Sequence, residues 1–200
     1  AQELQDLLDS GTPHITLTGD ITLGKDETLT IPAYEVTIDM AGHTISGGEL
    51  VFAWFSTKLN LTGGGTIDCP AELNGTIRGD AKFLKKVTLV PVDECHIYGG
   101  SFYDEVITND PNRSGSVEIH GGTFYDTVST RTSYTTLVYG GVFHKDASFL
   151  HGGGHCQVFG GVFYKDVTVR GSACEVFAGI FFGRYEHLNS GTVSMNVIFH

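Results

Sequence analysis

The feature that most constrains this chain is a repeat in its second half. The segments HIYGGSFYDEV, EIHGGTFYDTV, LVYGGVFHKDA, QVFGGVFYKDV and EVFAGIFFGRY follow one another. Glycine pairs begin at Gly99, Gly121, Gly140 and Gly160, with Ala178-Gly179 as the fifth. The starts lie 22, 19, 20 and 18 residues apart. A Phe stands three residues after each start, at Phe102, Phe124, Phe143, Phe163 and Phe181. The period varies while the motif does not. A β-solenoid behaves this way, because insertions enter its turns and leave the strands in register. Helical repeats need longer units and a 3.6-residue periodicity, whereas the alternation here has period two.

The first half follows the same logic with shorter signals. Ile15-Thr16-Leu17, Ile21-Thr22-Leu23, Leu29-Thr30-Ile31 and Val36-Thr37-Ile38 read as alternating strands separated by Gly, Asp and Pro. Further strands are expected at Leu59–Leu61, Ile67, Ile77 and Val87–Leu89, with the least regular coil or a long loop over 71–92. Residues 1–8 place Leu4, Leu7 and Leu8 on one face of a short amphipathic helix. That helix would cover the open end of the first coil, which is otherwise an unpaired edge. Val193, Met195, Val197 and Phe199 alternate as a last strand. The expected fold is all-β, a right-handed parallel β-helix of about 20 residues per coil with a short N-terminal capping helix. It is one domain: a cap over 1–12, irregular coils over 13–92 and Gly-Gly-x-Phe coils over 93–200.

Composition agrees. Gly makes up 27 of the 200 residues, which suits many tight turns, and 13 Phe and 8 Tyr against 2 Met and 1 Trp favour β-structure. Twenty-three acidic and 12 basic side chains give a formal net charge of −11. That argues against nucleic acid or an anionic membrane as partner, since such binders present basic surfaces. No apolar run reaches the ~18 residues of a membrane span. The first eight residues lack the pattern of a signal peptide.

These Gly-Gly-x-Phe coils, behind the stretch ITLTGDITL…LTIPAYEVTIDMAGHTISGG, resemble right-handed parallel β-helix proteins such as those of bacterial surfaces and phages. The resemblance covers about 15–199. It implies the fold and an extracellular, cell-surface or virion-associated setting. It implies no particular activity, because one fold hosts many.

Alternation assigns the side chains. Ile97, Ile119, Val138, Val158 and Val176 point inward, and so do Cys95, Val117, Thr136, Cys156 and Cys174 and the Phe column. The cysteines, Cys69 included, lack CxxC spacing and read as packing residues. Coils ~4.8 Å apart leave a Cys156–Cys174 bridge geometrically open. Two columns point outward: Tyr98, His120, Tyr139, Phe159 and Phe177 before the Gly turn, and Tyr103, Tyr125, His144, Tyr164 and Phe182 after the Phe. These rings either stabilise the solenoid face, form an oligomer or partner interface, or bind carbohydrate.

Catalytic signals are sparse. The Asn-Thr-Asp, Asp-Asp, Gly-His-Gly and Arg-Ile-Lys segments of β-helix polygalacturonases do not occur. Arg131 and Arg170 stand isolated. Asp104, Asp126, Asp146 and Asp166 recur once per coil and are weak candidates for Ca²⁺, but they shift from two to three residues after the Phe. His151-Gly-Gly-Gly-His155 reads as a turn rather than a metal-binding helix. The sequence therefore points to a non-enzymatic module, adhesin-like or virion-associated, that presents an aromatic face to a polysaccharide or protein partner, with homo-oligomer formation open. A polysaccharide lyase or glycoside hydrolase is the alternative. An acidic intracellular inhibitor, phage-encoded or not, is a further one.

Overall fold

The computed structural model describes residues 1–53, 57–92, 94–108, 115–132, 134–151, 154–171, 173–188 and 191–199. The first four coils of the second half have three strands each, seen in the coil that begins at Glu94, and in the fifth the first two strands are one continuous strand, Ala173–Phe181. A leading strand (Glu94–Ile97) runs to the Gly99-Gly100 turn, a short strand (Ser101–Phe102) follows, and a closing strand (Val106–Thr108) completes the coil. Leading and short strands stack in parallel into one 18-stranded sheet, and closing strands form a separate 9-stranded sheet. Pairing runs from each coil to the next, so the chain is a parallel β-solenoid.

One inward column runs in register through both halves. Val36, Leu59, Ile77, Ile97, Ile119, Val138, Val158 and Val176 are Cα partners in succession. All eight are buried. The second inward column holds Cys95, Val117, Thr136, Cys156 and Cys174, also buried. Its polar member Thr136 satisfies its hydroxyl against Thr130 Oγ1 at 3.1 Å. All four cysteines are buried and free, so Cys156 and Cys174 sit side by side as thiols.

The motif has a steric cause. The second glycine of each pair holds positive φ, from 99° at Gly100 to 148° at Gly179. A Cβ there would lie 3.4 Å from the Phe102 ring in the first coil and 2.7 Å from the Phe181 ring in the fifth. The second glycine thus turns the chain and leaves room for the inward Phe two residues on. The first glycine lacks positive φ, which is why Ala178 replaces it in the fifth coil. The inward rings then stack at 4.6–5.0 Å, from Phe83 through Phe102, Phe124, Phe143 and Phe163 to Phe181.

Phe83 corrects one expectation. The stretch 71–92 is a regular coil, with strands Ala71–Leu73, Gly75–Gly79, Lys82–Phe83 and Val87–Leu89 paired on both sides. Asp80 is one extra residue in its turn. It places Phe83 four residues after Gly79 instead of three and hides the motif.

The N-terminal helix Gln2–Asp9 buries Leu4 and Leu8, whereas Leu7, expected on the same face, is exposed. Its Gln5 finishes the edge of the closing sheet. The side-chain amide donates to Thr30 O at 3.1 Å and accepts from Thr30 N–H at 2.8 Å. Gln5 thereby stands in for the peptide group of a missing neighbouring strand. Tyr34 adds a hydrogen bond from its hydroxyl to Leu8 O. At the other end, Gly191–Phe199 pairs with Ala173–Phe181 as the expected last strand.

Candidate functional site

The outward rings form two columns that flank the short strands. The first stacks Tyr98, His120, Tyr139, Phe159 and Phe177 with centroids 4.2–5.0 Å apart and planes within 10°. The second stacks Tyr103, Tyr125, His144, Tyr164 and Phe182 at 4.5–5.1 Å. Tyr98, Tyr139, Phe159, Tyr103, Tyr125, Tyr164 and Phe182 are 37–45% exposed, and His120, His144 and Phe177 are half-buried. The sequence missed the start of the first column, where the Arg78 guanidinium lies 4.8 Å from the Tyr98 ring centre. Arg78 lies one residue before Gly79, in register with Tyr98, so the displaced motif concealed it too.

Between the columns runs a floor of outward side chains from the short strands: Ser101, Thr123, Val142, Val162 and Ile180 in register. It turns from hydroxyl-bearing to aliphatic along the axis. Five coils at ~4.8 Å give a strip about 20 Å long, and a separation of five residue steps between columns limits its width to ~15 Å.

Stacking decides what the rings can offer. Each ring turns its faces toward its neighbours above and below, so solvent meets mainly edges, tips and hydroxyls. Burial and the carboxylate of Glu118 push the Tyr139 phenol above its ordinary pKa. That side chain is therefore a hydrogen-bond donor at any physiological pH.

Acidic groups border the strip. Glu94, Glu118 and Glu175 lie on the outer face of the leading strands. Asp104, Asp126, Asp146 and Asp166 follow the second column, with Lys145 and Lys165 among them. Each of the four aspartates accepts a backbone N–H. Asp104 and Asp126 accept the N–H of the residue that follows each, at 2.8 and 2.7 Å. Asp146 accepts from Asp166 N–H, and Asp166 from Arg184 N–H, holding successive turns together.

A group that the sequence reading did not assemble lies beside the first column. His96 and Glu118 occupy successive coils in register, and His120 lies two residues beyond Glu118. Among the described residues this trio is the set whose ligand atoms converge, all within 4.8 Å of one another. The available signal was the pair of Glu-x-His runs, Glu94-Cys95-His96 and Glu118-Ile119-His120, offset by two residues in adjacent coils. Of the run His151–His155, residues 152 and 153 lie outside the described residues. The strand Ala147–His151 ends at its start and the strand His155–Val158 begins at its end.

Away from the strip, a cavity of about 180 Å³ sits under the N-terminal helix beside Leu4 and Leu17, and one of about 400 Å³ is lined by Lys25, Glu49 and Pro70. No helix among the described residues is long and apolar enough to cross a membrane. Together these features define a repeat protein of the parallel β-solenoid class that carries a double column of outward rings. Comparison with protein-family models, with curated proteins and with solved structures finds no match to this chain.

Proposed function

We propose that the chain is a non-enzymatic binding module whose working surface is the strip bounded by the two ring columns. The observation that supports this reading is the continuity of exposed rings over five coils beside a floor that becomes aliphatic. Contiguous apolar surface of this kind marks contact sites on soluble proteins. A protein surface is the partner that fits best. Sugars stack on open ring faces, and here the faces already meet one another at 4.2–5.1 Å. Edges, hydroxyls and methyl groups remain, which suit burial against another side-chain surface. The acidic border and the net charge of −11 favour a partner with a basic rim.

The strip covers on the order of 300 Å², against ~800 Å² per side in a standard stable complex. The contact is therefore of the weak class unless residues outside the strip join it. The test uses two probes: an immobilised amphipathic peptide alternating Lys and Leu, and neutral hexasaccharides such as cellohexaose. The wild-type chain should bind the peptide in a salt-sensitive manner and ignore the sugars. Tyr139→Ala with Tyr164→Ala should weaken peptide binding by about tenfold or more. Sugar binding lost in the same variant would establish the carbohydrate reading instead. A wild type that binds neither probe, with a double variant that merely unfolds, would reduce the columns to a structural role.

A further inference from the structure

We infer that His96, Glu118 and His120 form a binding site for a divalent transition-metal ion, with zinc the best fit, at the N-terminal end of the first ring column. This inference does not depend on the docking reading. His96 Nδ1 lies 3.3 Å from Glu118 Oε2, and His120 Nε2 lies 2.9 Å from the same oxygen. Zinc binds imidazole nitrogen at ~2.0–2.1 Å and carboxylate oxygen at ~2.0–2.2 Å, so the edges of its tetrahedron measure about 3.3–3.5 Å. The first separation already matches an edge. The second opens by about half an ångström when the ion takes the place of the proton that Glu118 and His120 share.

Three supports hold the ligands. Glu94 Oε2 sits 3.1 Å from His96 Nε2. A carboxylate on one ring nitrogen orients the ring, the arrangement found behind metal-bound histidines. The other nitrogen, His96 Nδ1, is buried, makes no hydrogen bond and faces Glu118 Oε2 across 3.3 Å. A cation between the two would bind both. His120 is clamped between Tyr98 at 4.2 Å and Tyr139 at 4.6 Å, so its plane is set before any ion arrives. Glu118 projects from the strand Ser116–Ile119, and its Cα is in register with that of His96.

Two imidazoles and one carboxylate suit a borderline ion such as Zn²⁺ better than Ca²⁺ or Mg²⁺, which take oxygen ligands in greater number. Three protein ligands leave a fourth position. All three side chains are partly exposed, so that position opens to solvent and accepts water or an oxygen or nitrogen donor from a partner. The site has the composition of an open zinc centre, placed where a docked partner would meet it.

The experiment is titration of the chelator-treated chain with Co²⁺, followed by its d–d absorption, and then competition by Zn²⁺. One ion per chain is expected, with a tetrahedral cobalt spectrum that Zn²⁺ abolishes. His96→Gln and Glu118→Gln should each lower affinity ~100-fold or more. Glu94→Gln, which touches no ion, should lower it ~10–100-fold. His120→Tyr removes a ligand while keeping a ring that the column already uses at Tyr98 and Tyr139, so it should fold and fail to bind. Wild-type chain that binds neither ion, or His120→Tyr that binds within threefold of wild type, overturns the assignment.

Discussion

Gly121 and Gly122 offer a controlled test of why the motif carries two glycines. A Cβ on Gly121 would come within 3.3 Å of Tyr98 O, and one on Gly122 within 3.3 Å of Gly100 O. The closest contact is the same, Gly122 adding only ordinary van der Waals neighbours at 3.5 Å, and both substitutions to Ala remove the same freedom from the unfolded chain. The main difference is the backbone, since Gly122 has φ +111°. That conformation costs a residue with a side chain about 1–3 kcal/mol. For a chain of this size each kcal/mol moves the thermal midpoint by about 2–4 °C. Gly122→Ala should therefore melt roughly 2–12 °C below Gly121→Ala, which itself should stay close to wild type, as Ala178 at the same place in the fifth coil indicates. Scanning calorimetry or circular dichroism of the two variants decides it. Equal midpoints, or a lower one for Gly121→Ala, would refute the claim that the second glycine is fixed by φ and the first only by space.

Two further predictions follow from buried groups. Burial pushes the Cys69 and Cys95 thiols up to about 11, so at pH 8 their thiolate fraction is roughly a hundredfold below that of a free cysteine. Native chain should label correspondingly slowly at these two positions with a thiol reagent and fully after denaturation, and fast native labelling would contradict their place in the core. Burial also lowers the His187 pKa from its ordinary value, with Nε2 enclosed and unbonded. The unfolded chain then binds the proton more readily than the folded one, so the stability this imidazole contributes is complete above about pH 6.5 and is lost as pH falls through the folded value. Wild type should lose stability relative to His187→Leu on going from pH 7.5 to 5, and a pH-independent difference would show that the ring is solvated.

What could be read from the sequence was whatever the repeat imposes. The core at Ile97, Phe102 and Cys95 and the outward places of Tyr98 and Tyr103 follow from period-two alternation once a single coil is aligned. Where the period is broken by one residue, the reading failed. Asp80 hid Phe83, and with it the regularity of the coil over 71–92, whose strands at Ile77 and Val87–Leu89 were expected, and the Arg78 cap on the ring column. Leu7 was assigned inward because helical spacing alone separates it poorly from Leu4 and Leu8, and only the position of the helix over the first closing strand resolves the difference. The Gln5 contact with Thr30 had no local signal, since it depends on which backbone groups the first coil leaves unpaired.

The same reasoning separates structural rings from informative ones. The inward column is Phe at every step from Phe83 to Phe181, because one interior volume recurs in each coil and close packing admits one ring size. The outward columns carry no such constraint, and there Tyr, His and Phe alternate while the floor passes from Ser101 to Ile180. Repetition by itself would produce the same outward ring in each coil. Departures from repetition therefore hold what information the surface carries about function. The sharpest departure is the pair of Glu-x-His runs at 94–96 and 118–120, which occurs in two adjacent coils and in no other. Its two-residue offset sets Glu118 beside His96 and leaves His120 free to stack with the tyrosines, a placement that the β-solenoid fold allows but does not require. A solenoid stabilised only by its ladders would gain nothing from burying a His96 nitrogen that makes no hydrogen bond, so that pair is the part of this surface whose removal should change binding while leaving the fold intact.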